Sequence, residues 1–291
     1  MRSPLSGWFL FAAALIALGG CETTESTSFD PFRVDPLRTS RGDGGGPSLN
    51  LDALMRVGAA ARAGGDYANA VSVYRRAAEV APRDAAPFLA LGDTLVDAGN
   101  ANEAIVAYNS ARERDQHNPL AQRGIAKAFL MTNRAELALE PISRALAVTP
   151  NDPKLLMLIG VADDLMGRHA EAQDRYRQAL ALTPGDPSLA VNLALSFVLT
   201  GDYPAAISAL RPVAMSPAAG AHERQTLALI YGLKGDQTEA ARVARLDLDE
   251  AAVEHNLVLY ETLRRLSPDA RNRAILAARS ESRPNPASQP G

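Results

Sequence analysis

The chain has 291 residues, 47% hydrophobic and 22% charged, a balance that supports a buried core and excludes a wholly disordered chain. Aromatic residues are only 5%, while Ala and Leu dominate, which favours closely packed helices over a β-sandwich. A formal net charge of −3 gives no electrostatic case for nucleic acid, and a single cysteine excludes an internal disulfide.

Residues 1–20 carry the pattern of an export signal: Arg2, then the apolar run Trp8–Leu18. That run is shorter than the roughly 20 residues a spanning helix needs. It ends Leu18-Gly19-Gly20-Cys21, which resembles the bacterial lipobox, a Leu and two small residues before a Cys. The resemblance implies cleavage before Cys21, a diacylglyceryl group on its thiol and acylation of the freed amine. Several acyl chains together make a stable membrane anchor. Glu22, standing where an Asp would signal retention, favours the periplasmic face of the outer membrane by the same resemblance.

Residues 21–50 read as a lipidated tether. Glu22–Asn50 has no sustained helical period and is rich in Thr, Ser, Gly, Pro and Asp, so an unfolded linker with a reach of about 30 Å is expected. Gly42–Gly46 has neither a preceding strand nor a Gly-Lys-Ser/Thr ending, so it is read as a hinge and not as a phosphate loop.

From Leu51 a 34-residue frame fits without insertion: Leu51–Asp84, Ala85–Asn118, Pro119–Asp152, Pro153–Asp186, Pro187–Gly220 and a less regular sixth unit from Ala221. Each unit predicts two helices with apolar positions at spacings of three and four. Frame position 8 holds Gly58, Gly92, Ala126, Gly160, Ala194 and Ala228. Position 20 holds Ala70, Ala104, Ala138, Ala172, Ala206 and Ala240. Small residues in phase let two helix backbones approach. Tyr74, Tyr108, Ile142 and Tyr176 at position 24 would fill the space beside them. Gly-Asp or Gly-Asn pairs mark the turn inside a unit, and Asn118-Pro119, Asp152-Pro153 and Asp186-Pro187 place a cap and a first-turn Pro between units.

These residues resemble the tetratricopeptide repeat, over roughly Leu51–Leu246. The fold expected is an all-α solenoid of about six helix–turn–helix units with a C-terminal capping helix, spanning 51–266. Pro141 is expected to kink the second helix of unit three or cost it a hydrogen bond. Arg211-Pro212 and Ser216-Pro217 predict a short second helix in unit five and an irregular exit, and leave open whether units five and six stack as regularly as the others. Asp249–Leu266 predicts a helix with a broad apolar face. Residues 267–291 predict a short helix from Ser267-Pro268 and a disordered tail.

No catalytic, cofactor-binding or metal-binding constellation stands out, and a non-enzymatic role without small-molecule substrate is expected. His222-Glu223 begins like a zinc-protease helix, but Thr226 stands where the second His belongs. Asp163 and Asp164 are adjacent on a helix and do not face each other, so a solvated or groove-edge role is expected for them. The repeat resemblance implies a concave surface lined by the first helices. It assigns to that groove Lys127, Leu130, Met131, Met157, Val161, Asp164, Leu165, Val191, Leu195, Val198 and Leu199. The lining is mostly apolar, which weighs against a charged clamp. Leu189–Leu199 is apolar nearly all round and should be buried on both sides. Either the chain's own helix at Asp249–Leu266 folds into the groove, or a partner's amphipathic helix or strand does.

Glu223–Leu229, Tyr231-Gly232-Leu233, Gly235-Asp236, Ala241–Leu248 and Asn256–Arg264 resemble a run in the lipoprotein of tight-adherence (Tad/Flp) pilus assembly systems. That resemblance implies a membrane-anchored scaffold whose protein partners are pilus-assembly or outer-membrane secretin components. A periplasmic adaptor that recruits cell-wall enzymes or outer-membrane assembly factors is the alternative.

Overall fold

The computed structural model describes residues 50–281. The signal segment, Cys21, most of the tether and the end of the tail lie outside the described residues. Fourteen helices and no strand are found among those described. They come in antiparallel pairs: α1 (Leu51–Ala63) with α2 (Tyr67–Val80), α3 (Ala86–Asp97) with α4 (Ala101–Arg114), and α5 (Pro119–Met131) with α6 (Ala135–Val148). The series continues with α7 (Pro153–Leu165) and α8 (His169–Leu182), α9 (Pro187–Leu199) and α10 (Tyr203–Ala214), and α11 (Ala221–Lys234) and α12 (Gln237–Ala244). The last two are α13 (Glu250–Arg265) and α14 (Pro268–Glu281).

The boundaries follow from capping chemistry. Asp152 Oδ1 accepts the Lys154 N–H at 2.8 Å, and Pro153 supplies the preset φ of a first helical residue. Asn118 caps α5 through the N–H groups of Leu120 and Ala121, and Asp186 caps α9 through Leu189. Within unit four the chain reverses at Gly167, whose φ of +76° costs a residue without Cβ nothing. In unit three Asn133 takes the equivalent left-handed place, with φ 56°.

Every Ala at frame position 20, from Ala70 to Ala240, is 0% exposed. These are the points where paired helices touch, and any larger side chain there would force the pair apart. The position-24 side chains fill the adjoining space, so Tyr108, Ile142, Tyr176 and Leu210 are among the largest fully buried groups.

The helix α6 runs unbroken through Pro141 and matches the 14 residues of α2, α4 and α8. The missing N–H leaves only the Leu137 carbonyl without its usual donor, and Leu137 lies on the exposed side. The helix α10 is short, as Pro212 predicts, at 12 residues. Looser stacking does not follow from it. Units five and six share one buried cluster that runs from Ala190 through Leu210 and Leu227 to Val253 and Ile275.

Past α12, Arg224 clamps the turn by a forked pair with Asp247, with Nε at 2.8 Å from Oδ2. The helix α13 then packs against α11 as the first helix of a seventh unit would, with Val253 and Tyr260 buried. Sequence reasoning allowed Asp249–Leu266 to fold back into the groove; it continues the stack instead, because Tyr260 finds Gly232 on α11. A Cβ on Gly232 would lie 2.4 Å from Tyr260 Cδ2. The return is made by α14, whose Asn272 Nδ2 donates to the Leu199 carbonyl at 2.8 Å.

Candidate protein-interaction surface

The expected groove residues divide by burial. Lys127, Met131, Met157, Val161, Leu165 and Leu195 are half-buried. The apolar five sit at the margins of the buried clusters, with one flank packed and one open. Exposed Leu120 and Lys154, and half-buried Arg123, adjoin them along α5 and α7. Arg123 is partly neutralised by Asp152 at 3.4 Å.

Leu130, Asp164, Val191, Val198 and Leu199 are buried and do not line an open surface. Each first helix is held by its own partner and by the neighbouring units, and α14 adds cover at the end of α9, so more of the circumference is buried than the frame alone implies. In α9 this reaches eight of the 13 residues, which bears out the expectation that this helix is buried on both sides.

Asp164 is the sharpest correction, since it is neither solvated nor at a groove edge. The residue is 1% exposed, and its carboxylate accepts hydrogen bonds from Ser196 Oγ at 2.7 Å and the Tyr176 hydroxyl at 3.0 Å. His169 Nδ1 stands 3.0 Å away. One carboxylate thereby ties α7, α8 and α9 together across two units. An unpaired carboxylate this deep would be costly, and the three partners are what make its burial tolerable. Asp163 is also buried and accepts from Arg168 Nε at 2.9 Å.

A second polar joint lies in units one and two, and sequence reasoning missed it. The Tyr108 hydroxyl donates to Asp93 Oδ1 at 2.6 Å, and Arg62 pairs with Asp97 at 2.6 Å and Asp93 at 3.6 Å. Burial, with the Asp93 charge beside it, pushes the Tyr108 phenol well above its ordinary value and keeps the proton on the oxygen. The available signal was the tyrosine itself, because a buried hydroxyl at position 24 needs an acceptor on the facing helix.

The His222-Glu223 pair has a structural role. Glu223 Oε2 accepts the Gly220 N–H at 2.8 Å, and Thr226 donates to the His222 carbonyl. No group of three His, Cys, Asp or Glu placed to hold a metal occurs among the described residues. No described helix is long and apolar enough to cross a membrane.

Helix pairs in a strict frame, with an inner face partly open, define a repeat solenoid. Two family models described as tetratricopeptide repeat match the chain, one over residues 89–153 and 166–220, the other over 61–116, together about half of it. The chain belongs to the tetratricopeptide-repeat family, and that repeat implies a protein-interaction scaffold.

A curated relative, the cellulose synthase 2 operon protein C of Komagataeibacter xylinus, is 32% identical over 151 residues. The match covers 50% of this chain and only 11% of that protein. Solved structures share the fold. A tetratricopeptide repeat protein from Parabacteroides merdae aligns with a TM-score of 0.63 at 15% identity, over 74% of this chain and 86% of that one. A chain of the APC/C hetero-tetramer Cut9–Hcn1 aligns at 0.64 and 20%, over 74% of this chain and 42% of that one. Pseudomonas aeruginosa pilF aligns at 0.55 and 20%, over 66% and 88%.

Proposed function

We propose that this protein is a non-enzymatic, lipid-anchored scaffold that helps assemble or localise a tight-adherence pilus machine, acting on its outer-membrane secretin. The observation that carries the scaffold reading is the half-open apolar strip on the first helices, Met131, Met157, Val161, Leu165 and Leu195, with Lys127 at its edge. A rigid solenoid that leaves such a strip open offers a ready seat for a partner's apolar face. The two methionines suit an adaptable contact. The Cys21 lipobox and the tether support placement at a membrane, and the Glu223–Asp236 and Asn256–Arg264 runs support the pilus system over other periplasmic adaptors.

The test is co-purification of the secretin with the full-length protein from solubilised membranes. Leu195→Glu, at a half-exposed site, should leave the circular dichroism spectrum unchanged and remove the secretin. Undiminished recovery of the secretin with a folded variant overturns the groove. Absence of the secretin from wild-type preparations overturns the pilus assignment.

A further inference from the structure

The alternation of helices breaks at the C-terminus. The helix α13 occupies the place of a seventh first helix, and its natural companion would be a second helix packed against it. The helix α14 instead returns 73 residues up the chain, where Asn272 Nδ2 donates to the Leu199 carbonyl at the end of α9. Ile275 is 5% exposed and joins the buried cluster that holds Val198 and Leu199, and Leu276 packs at its margin. Residues 271, 272, 275 and 276 share one helical face by their spacing. Val198 and Leu199 are groove positions in the repeat frame, so α14 sits where a ligand of the inner face would sit.

The seat is imperfect. Arg271 Nε and Asn272 Oδ1 are buried there without a hydrogen-bond partner. Buried polar atoms left unpaired oppose the gain from burying Ile275. Ordering the 14 residues of α14 opposes it again. These two costs leave α14 less firmly seated than a helix whose buried polar atoms are all paired.

We infer that the unit-five end of the inner face is a binding site for a short amphipathic helix, and that α14 is its resident occupant in cis. The incoming partner is a helix that presents an Asn, followed three and four residues later by two aliphatic side chains, to the Leu199 carbonyl and the apolar surface beside it. It binds by displacing α14. This inference rests on the inner face being the interaction surface and is independent of which partner uses it.

The probe is a fluorescein-labelled peptide of residues 267–281, titrated onto the full chain. In wild-type protein the tethered α14 competes at a high effective concentration, so the peptide should bind weakly. In the Ile275→Glu/Leu276→Glu chain the site is vacated, and the peptide should bind at least tenfold more tightly. A peptide carrying the same two changes should bind neither chain. Equal binding to both chains, or binding to neither, overturns the proposal. Hydrogen exchange on the wild-type chain decides independently of whether the variant folds. The α14 amides should exchange at least a hundredfold faster than those of α9 and α11; protection equal to theirs overturns the proposal. Both measurements use only this chain and its own peptide, so their failure and that of the secretin assignment are told apart.

Discussion

Tyr176 occupies the space that a side chain on Gly160 would need: a Cβ there would lie 2.5 Å from the ring Cε1. The same relationship joins Gly58 to Tyr74 and Gly92 to Tyr108, each at 2.6 Å. Where position 8 holds Ala126 or Ala194, position 24 holds Ile142 or Leu210. One methyl gained on the first helix is matched by a smaller group on the second, so each pair conserves volume.

Gly160→Ala should therefore destabilise the protein by about 1–3 kcal/mol, as overpacking does. In a Tyr176→Leu background, which reproduces the Ala194–Leu210 pairing, the same change should become neutral or stabilising, since Ala exceeds Gly in helix propensity by about 1 kcal/mol. Urea unfolding of the four proteins measures this. An equal cost in both backgrounds would show that ring and glycine are not coupled.

Gln122 is 2% exposed at the position that holds Leu54, Phe88 and Leu156 in units one, two and four, and both of its amide atoms lack a partner. Gln122→Leu should raise stability by about 1–3 kcal/mol, the desolvation cost of an unsatisfied polar group. Thermal unfolding should show a higher midpoint; an unchanged or lower one refutes the assignment.

The Arg224 guanidinium, by its hydrogen bonds, holds the Asp247 carboxyl below the usual carboxylate range. The folded state thus binds fewer protons than the unfolded state once pH drops below about 4, and the stabilisation fades as pH falls through the folded value. Asp247→Asn should be less stable than wild type at pH 7, and the difference should narrow in acid. Unfolding curves from pH 7 to pH 3 give the comparison, and a pH-independent difference would count against the pair.

Cys21→Ala should block lipidation and leave an unprocessed precursor. Metabolic labelling with palmitate reads it directly; normal label on the variant would remove the anchor from the proposal.

The repeat architecture was legible because the packing constraint recurs. One unit's small residues could be chance, but Ala at position 20 in six units fixes the phase, and all six are fully buried. The candidate surface was legible only in part. The frame says which residues face inward along one helix; it does not say how far other helices cover them, so Val198 and Leu199, expected in the open groove, are buried. The burial of Asp164 is not legible in the frame, because Tyr176 and Ser196, which donate to it, lie 12 and 32 residues away. The course of α14 was not readable either. An amphipathic period shows that a helix must cover something and leaves the surface unspecified.

Tyr108 belongs to two units at once. A Cβ on Gly92 in its own unit would come within 2.6 Å of the ring, and one on Gly124 in the next unit within 2.4 Å. A solenoid loses structure from its ends, one unit after another, unless a contact makes two units melt together. Fraying that starts at α1 and α2 should therefore meet resistance at this ring, and units two and three should open in a single step.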